Sequence, residues 1–415
     1  MKNKLVSVIG LGYIGLPTAA LLASYGYKII GTDISSRAVD TINQGKTHIL
    51  EPDLEAFVNS AVVAGRLKSS TSPQAADIYI ICVPTPIRDG SGIPEPDIES
   101  VLTATRNIAP FVKAGDLIIL ESTSPVGTTE QIEVILRDAG APVDEVYIAY
   151  CPERVLPGRI MVELVENDRI VGGLSARASS EVAAFYRTFV RGTVFETNAK
   201  TAELCKLTEN SFRDVNIAFA NELSLICEKE GIDVWSLIEL ANRHPRVNIL
   251  QPGPGVGGHC IAVDPWFIVA RDAKNTKLIK AAREVNNFKT AWVIDRIKVA
   301  IADSLAKTGN RPKVACFGLA FKPGVDDLRE SPALQVALNL ELAGHEVLAV
   351  EPYIGSHENL AIVDVETALT QADICVMLVK HQQFLAPDVR RKLMDKNFLD
   401  FCGALALPGG LQQLG

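Results

Sequence analysis

The chain has 415 residues, 47% of them apolar and 22% charged, with a formal charge of −8 from 41 Lys+Arg against 49 Asp+Glu. At roughly 150 residues per domain this length predicts two or three domains, and the mixture excludes disordered, collagen-like and coiled-coil classes. The acidic balance argues against a broad nucleic-acid or membrane-binding surface and leaves room for local basic pockets.

No charge falls between Lys4 and Lys28. That run imitates a signal peptide or membrane span, but Gly10, Gly12, Gly15 and Pro17 interrupt it and no A-x-A site follows. KLVSVIGLG reads instead as a buried strand, LPTAALLASYG as a helix ending at Gly26, and YKIIGTD as the next strand. ADIYIICVP, DLIILEST and VYIAYCP continue the series. Strand–helix–strand alternation predicts a parallel sheet with right-handed crossovers. From Thr201 the period becomes helical, through TAELCKLTENSFRDVNIAFANELSLICEKEG to a stop at Gly231. DVWSLIELANR, DPWFIVARDA and the stretch from Lys277 to Lys307 are further helices. The last would run roughly 45 Å, which suits a domain spine or a dimer contact. After the linker TGNRP, strands and helices alternate again in PKVACFGLAF, SPALQVALNLELAG, HEVLAVEPY, ADICVMLVKH and KNFLDFCGAL. The expected fold is α/β, with two Rossmann-like doubly wound domains (1–198 and 308–415) joined by a helical middle domain (199–307).

Gly10-Leu-Gly12-Tyr13-Ile14-Gly15 follows the first strand and opens the first helix, and Asp33 ends the second strand. In that context GxGxxG is a dinucleotide fingerprint. Gly10 permits the turn, Gly12 lets the backbone approach a pyrophosphate, and Gly15 lets the helix pack close to the sheet. The helix N-terminus adds partial positive charge. The Asp33 carboxylate accepts from ribose hydroxyls and repels a 2′-phosphate, so NAD is the expected cofactor; Arg37 weakens that preference slightly. Thr85 in VPTP and Thr123 in ESTSP follow later strands, where ligands sit in open α/β sheets, and are expected to touch the cofactor.

Eight cysteines are scattered without CxxC or zinc-type Cys/His spacing, which predicts free thiols, a cytoplasmic setting and no metal. Only Cys260 lies in a glycine-rich loop, Gly255-Val-Gly257-Gly258-His259-Cys260. Backbone amides there can face a developing oxyanion, and absent side chains leave room for a substrate. Cys260 is therefore the expected nucleophile. Adjacent side chains usually point apart, which argues against His259 as its base. Asp264-Pro265 reads as a helix start, and a catalytic role for the carboxylate is compatible with that.

Lys206, Asn210 and Arg213 fall within a sector of about 60° on their helix at 100° per residue, either as a solvated face or as a polar pocket. Asn242-Arg243-His244-Pro245-Arg246 is a phosphate-recognition cluster or a surface turn. Phe321-Lys322 through Arg329-Glu330-Ser331 follows the first strand of the last third, where a nucleotide would bind. That third echoes the first, CFGLA…VEP against VIGLG…GTD, without the second and third glycines. The two halves are thus not expected to bind the same ligand.

Together GLGYIGLP, VPTP, ESTSPVGT, CPERVLPG, LTENSFRDVNIAFANE, NRHPRVNILQPGPGVGGHCIAVDP and FGLAFKPGVDDLRESPA resemble the UDP-glucose/GDP-mannose dehydrogenase family, over residues 4 to about 380. The resemblance implies a homodimeric enzyme that oxidises the C6 alcohol of a UDP-sugar to a carboxylate with two NAD. The wording GGHCIAVDPWF and NRHPRVNIL favours UDP-N-acetyl-D-mannosamine as substrate, with UDP-glucose and UDP-N-acetylglucosamine as alternatives. Motif matching puts Cys260 on the nucleophile and Lys206 on the catalytic lysine. Asn210, Asp264, Thr123 and Glu153 fall on further active-site positions. Arg154, Val155, Arg213, His244, Arg246, Gly257, Phe321 and Lys322 match substrate-binding positions, as Lys206 and Asn210 also do, and Arg329 matches a residue near the cofactor. The family usually carries a basic residue after the last strand, whereas here no Lys or Arg follows Lys396. A two-electron β-hydroxy acid dehydrogenase is disfavoured by Cys260, and a non-catalytic NAD-binding interaction protein by intact Lys206, Cys260 and Asp264.

Overall fold

The structure is a computed structural model that describes residues 4–405 except 89 and 91. The neutral C-terminal stretch from residue 406 lies outside the described residues. The chain forms two compact units, Met1–Glu209 with Trp266–Arg271, and Asn210–Pro265 with Asp272–Gly415.

The first unit is built on strands β1 (Leu5–Ile9), β2 (Lys28–Thr32), β3 (Leu67–Ser70), β4 (Ile78–Ile81), β7 (Leu117–Leu120), β8 (Tyr147–Tyr150), β9 (Arg169–Gly173) and β10 (Val194–Asn198), with β5 (Ile87–Arg88) and β6 (Glu95–Pro96) as a small hairpin. The main sheet has the order β10-β9-β8-β7-β4-β1-β2-β3. IYII in β4 and LIIL in β7 are buried at every position, as expected of strands covered on both faces. Helices α1 (Gly15–Ser24), α2 (Ser36–Asn43), α3 (Leu54–Val63), α4 (Glu99–Ile108), α5 (Thr128–Asp138), α6 (Ile160–Glu166) and α7 (Ala176–Tyr186) supply the cover. Strand order reverses between β1 and β4, a switch point where ligands bind at the C-terminal strand ends.

One expectation changes. The sheet is mixed, because β9 pairs antiparallel with β8 through Ala149↔Gly173 and Tyr150↔Gly172. The short α6 returns the chain to the end at which β8 leaves the sheet, so β9 starts there with Arg169. Strands β3, β9 and β10 were also not anticipated. LKSS in β3 is half polar, and β9 and β10 carry glycine, arginine or glutamate.

Helix α8 (Ala199–Glu230) begins in the first unit and ends in the second. It is followed by α9 (Val234–Ala241), α10 (Asp264–Arg271) and α11 (Lys277–Thr308). The second unit carries an all-parallel sheet of order β13-β12-β11-β14-β15. Its strands are β11 (Val314–Phe317), β12 (Val347–Val350), β13 (Ala361–Ile362), β14 (Ile374–Met377) and β15 (Asn397–Asp400), and its helices are α12 (Pro332–Leu342), α13 (Val365–Gln371) and α14 (Pro387–Met394). Ser331 caps α12 by accepting from Leu334 N, with Pro332 at the first helical position, the arrangement that satisfies a helix start most cheaply. Val293, Ile297 and Ile301 of α11 join the core under this sheet.

Candidate active site

At the β1/β4 switch point the three glycines do three different things. Gly10 has φ +88°, and a Cβ there would meet Cys82 O at 2.5 Å. A Cβ on Gly15 would meet Gly10 O at 1.8 Å. Gly12 is exposed, and its Cβ would meet nothing within 4 Å. The first two glycines close the turn, and the third leaves the open approach a pyrophosphate needs. Asp33 Oδ2 accepts from Leu11 N at 2.9 Å and Oδ1 from Ser35 N at 2.9 Å. A carboxylate has about four acceptor sites, so ribose hydroxyls can still be met. Arg37 is exposed on the first turn of α2. Thr85 Oγ1 donates to Thr123 O at 2.6 Å, and Ser122 Oγ to Val83 O at 2.7 Å, so the two predicted loops are tied together. The residues present fit a dinucleotide.

Beyond β8, Glu153 is buried and accepts from Arg169 Nη1 at 2.7 Å and Arg154 N at 2.6 Å. The Arg169 guanidinium, itself buried, also lies over the Tyr186 ring. Tyr186 and Cys82 both donate to the buried Glu121 carboxylate, whose pKa burial pushes upward. Arg154 reaches Glu209 at 2.7 Å and Asp168 O at 3.2 Å; Val155 packs against the core. Arg169 was not legible from local pattern, because the antiparallel strand brings it to Glu153 from sixteen residues away.

In the second unit Cys260 is half-buried and opens a tight turn, its carbonyl accepting from Val263 N at 3.1 Å and Asp264 N at 2.8 Å. His259 beside it is exposed. Asp264 is 2% exposed, and its Oδ2 accepts from Asn210 Nδ2 at 2.5 Å. Burial pushes the thiols of the other seven cysteines up, Cys151 and Cys316 to about 12, which disfavours their thiolates. The glycine loop differs from expectation. A Cβ on Gly257 would meet Glu330 O at 2.5 Å, and one on Gly258 the Phe321 ring at 2.9 Å. Gly258 N donates to Arg329 O at 3.1 Å. These glycines make room for the segment around Phe321 and Pro332, and they join Cys260 to Phe321 and Arg329. The Arg329 side chain pairs with Asp327 at 2.6 Å.

The polar stripe on α8 also lies in a different register. Lys206 is half-buried and Arg213 exposed. The buried polar residues are Glu203, Asn210, Asp214 and Asn221, which span about 40° at 100° per residue. Glu203 caps α5, accepting from Gly127 N at 2.7 Å and Thr129 N at 2.8 Å. Asp214 takes Arg283 at 2.7 Å, and Asn221 donates to Asn286 at 2.8 Å. Their 7-4-7 spacing was in the sequence; their partners were not. His244 and Arg246 stand exposed on the turn after α9, with Arg246 N donating to His244 Nδ1 at 3.3 Å.

The turn after β11 repeats the turn after β1. Gly318 also has φ +88°, and its N donates to Val350 O at 2.8 Å as Gly10 N does to Thr32 O at 2.8 Å. Leu319 N donates to Glu351 at 2.7 Å, the counterpart of Leu11 N to Asp33. The likeness then stops. Ala320 is buried where Gly12 is exposed, and Glu351 is 4% exposed and bonded to His381 Nε2 at 3.1 Å. Phe321 and Lys322 extend from this turn, half-buried.

A nicotinamide-dependent dehydrogenase is the class these features define. Domain profiles of the UDP-glucose/GDP-mannose dehydrogenase family match the NAD binding domain over residues 4–190, the central domain over 200–288 and the UDP binding domain over 315–406. The chain belongs to this family and uses NAD. It is 56% identical over 404 residues to the UDP-N-acetyl-D-mannosamine dehydrogenase of Yersinia pestis, covering 93% of this chain and 96% of that one. It is 52% identical to an NDP-N-acetyl-D-galactosaminuronic acid dehydrogenase of Ralstonia nicotianae, covering 93% of each. A solved UDP-D-ManNAc dehydrogenase from Pyrococcus horikoshii superposes with a TM-score of 0.86 at 38% identity, covering 97% of this chain and 96% of that one.

Proposed function

We propose that this enzyme oxidises the C6 alcohol of UDP-N-acetyl-D-mannosamine to UDP-N-acetyl-D-mannosaminuronate, a building block for surface polysaccharide. The chemistry rests on one observation above all, the half-buried Cys260 thiol at the head of a turn that ends in Asn210-bonded Asp264. The sugar rests on the relatives.

NAD, when bound at the first glycine turn, supplies a hydride acceptor twice per sugar. In the first oxidation Asp264 anchors a water that takes the alcohol proton as hydride leaves carbon, with Lys206 balancing charge. The Cys260 sulfur then bonds to the aldehyde carbon, giving a thiohemiacetal whose oxygen Lys206 and Asn210 stabilise. Loss of the second hydride leaves a thioester. Water adds to its carbon, the C–S bond breaks, the thiolate returns and the carboxylate leaves; Glu153 governs protonation in this step. Thr123 orders the cofactor side. Arg154, Val155, Arg213, His244, Arg246, Gly257, Phe321 and Lys322 hold the UDP-sugar.

We also propose three domains bounded at 198 and 307, a cytoplasmic setting and a homodimer. Eight unbridged thiols support the setting. Phe212, Phe219 and Ile226, 68%, 53% and 52% exposed at seven-residue spacing on α8, form an apolar seam that a second copy would cover. Phe219→Glu is expected to halve the mass seen by light scattering.

A panel of UDP-N-acetylmannosamine, UDP-N-acetylglucosamine, UDP-N-acetylgalactosamine and UDP-glucose, with NADH counted per sugar, tests the function. The mannosamine sugar should give the highest kcat/KM and two NADH. A higher kcat/KM with any other sugar reassigns the substrate.

A further inference from the structure

The proposed substrate contacts Phe321 and Lys322 stand on a short loop between the end of β11 and Gly324. Its two ends are held by a single buried pair. Glu351 Oε2 accepts from Leu319 N at 2.7 Å and Ala320 N at 3.0 Å. His381 Nε2 bonds the same carboxylate at 3.1 Å, and His381 Nδ1 accepts from Gly324 N at 3.1 Å. Because Nδ1 accepts, Nε2 carries the hydrogen and donates it to Glu351. One imidazole therefore spans the loop from the amides at its start to the amide at its finish.

Nothing here is loosely placed. His381 is fully buried, with the Tyr353 ring at 5.1 Å and the Phe384 ring at 5.5 Å. Tyr353 N donates to Glu351 Oε1 at 3.2 Å. Burial raises the Glu351 carboxyl, but the His381 and amide hydrogen bonds outweigh it and the net shift is downward.

Comparison of the two glycine turns gives the pair its meaning. In the first unit the equivalent acid, Asp33, is only half-buried and can meet a ribose. In the second unit the acid is turned inward and hydrogen-bonded to a histidine. The position has changed from reading a ligand to fixing the loop that reads one.

We propose that His381, acting through Glu351 and Gly324, is a positioning residue that holds Phe321 and Lys322 in the conformation that grips the uridine diphosphate portion of the substrate. It touches no reacting atom. This rests on the reading that the loop after β11 binds UDP. Pre-setting a loop lowers the ordering cost of binding, so His381 acts on affinity for the nucleotide rather than on the chemical step.

The test uses the full-length enzyme and UDP as probe. UDP affinity is measured by titration calorimetry for wild type, His381→Phe and His381→Asn, beside KM and kcat for substrate and the affinity for NAD. His381→Phe keeps the ring shape but loses both hydrogen bonds. UDP binding is expected to weaken at least tenfold and substrate KM to rise similarly, with kcat within about threefold and NAD affinity unchanged. His381→Asn keeps an acceptor near Gly324 N and should recover part of the loss. UDP affinity within twofold of wild type in His381→Phe overturns the proposal, as does an equal loss of UDP affinity, NAD affinity and kcat. Should His381→Phe fail to fold, Glu351→Gln decides, with at least fivefold weaker UDP binding expected and wild-type binding overturning the proposal. If wild type itself binds no UDP, the underlying site reading fails instead.

Discussion

The Asn210 side-chain amide donates to Asp264 Oδ2, joining the buried face of α8 to the first residue of α10. Asp264 is thereby held as an acceptor. Asp264→Asn should cut kcat by about 10²–10⁴, the usual worth of a positioned acid–base group, while NAD affinity stays at the wild-type level. Asn210→Ala should lower kcat less than Asp264→Asn does. Steady-state rates beside fluorescence titration with NADH check both; a kcat loss of less than threefold for Asp264→Asn counts against its role.

In the proposed dinucleotide site the Asp33 carboxylate, held by two backbone amides, would face the ribose. A 2′-phosphate would face it directly, and like-charge juxtaposition is strongly unfavourable. NAD should be preferred over NADP by at least about 100-fold in kcat/KM. Asp33→Ser should narrow that ratio mainly by improving NADP. Comparable use of both cofactors by the wild type would remove Asp33 from its assigned place.

Cys260→Ser should bind NAD normally and fail to complete the four-electron reaction. An alcohol without a strong base is a poor nucleophile. Mass spectrometry of wild type mixed with substrate and NAD should locate any trapped acyl group on the peptide containing Cys260. Two NADH per sugar at the wild-type rate from Cys260→Ser would refute the covalent route.

Lys289 gives a prediction about stability. Lys289 is 3% exposed; its side-chain nitrogen donates to Ser224 Oγ at 2.7 Å and lies 3.8 Å from the Trp292 ring centre. Burial lowers its pKa to about 7, against about 10.4 in an unfolded chain. Between those values the unfolded chain binds the extra proton, so this group makes stability rise with pH from about 7 to 10.4. Lys289→Met should therefore stabilise the protein at pH 7, by on the order of 2–3 kcal/mol after the lost Ser224 bond and ring contact are set against it. The gain should fade toward pH 10.4. Chemical denaturation at both pH values measures it; a gain independent of pH would contradict the assignment.

The glycine turn was legible in the sequence because its causes are local. Gly10 and Gly15 follow from backbone sterics within one strand–helix–strand unit, and their turn and close-packing roles are as read. The helix start at Asp264-Pro265 was legible for the same reason. Residues whose role depends on distant pairing were not. Arg169 meets Glu153 only because β9 runs antiparallel to β8, and nothing local distinguishes that arginine from a surface one. On α8 the sequence favoured Lys206, Asn210 and Arg213, whereas burial selects Glu203, Asn210, Asp214 and Asn221. A rotation of a few tens of degrees separates the two sets, and only the partners on α5, α10 and α11 decide between them. The Gly255–Gly258 loop read as access for a ligand. A glycine admits a protein neighbour as readily, and here Thr290, Pro332 and Phe321 approach the loop.

The inward turn of Glu351 has a kinetic consequence. Of the two glycine turns, only the first keeps an acid at the surface where a ribose could meet it, so both oxidations must draw on the same berth. Reduced dinucleotide has to depart and a fresh oxidised molecule has to arrive while the sugar is halfway oxidised. A free aldehyde could escape during that interval. The proposed thiohemiacetal on Cys260 would stay tethered through the changeover, and the lifetime of its carbon–sulfur bond would then have to exceed the dwell time of departing NADH. Added NADH should therefore slow the second oxidation more than the first.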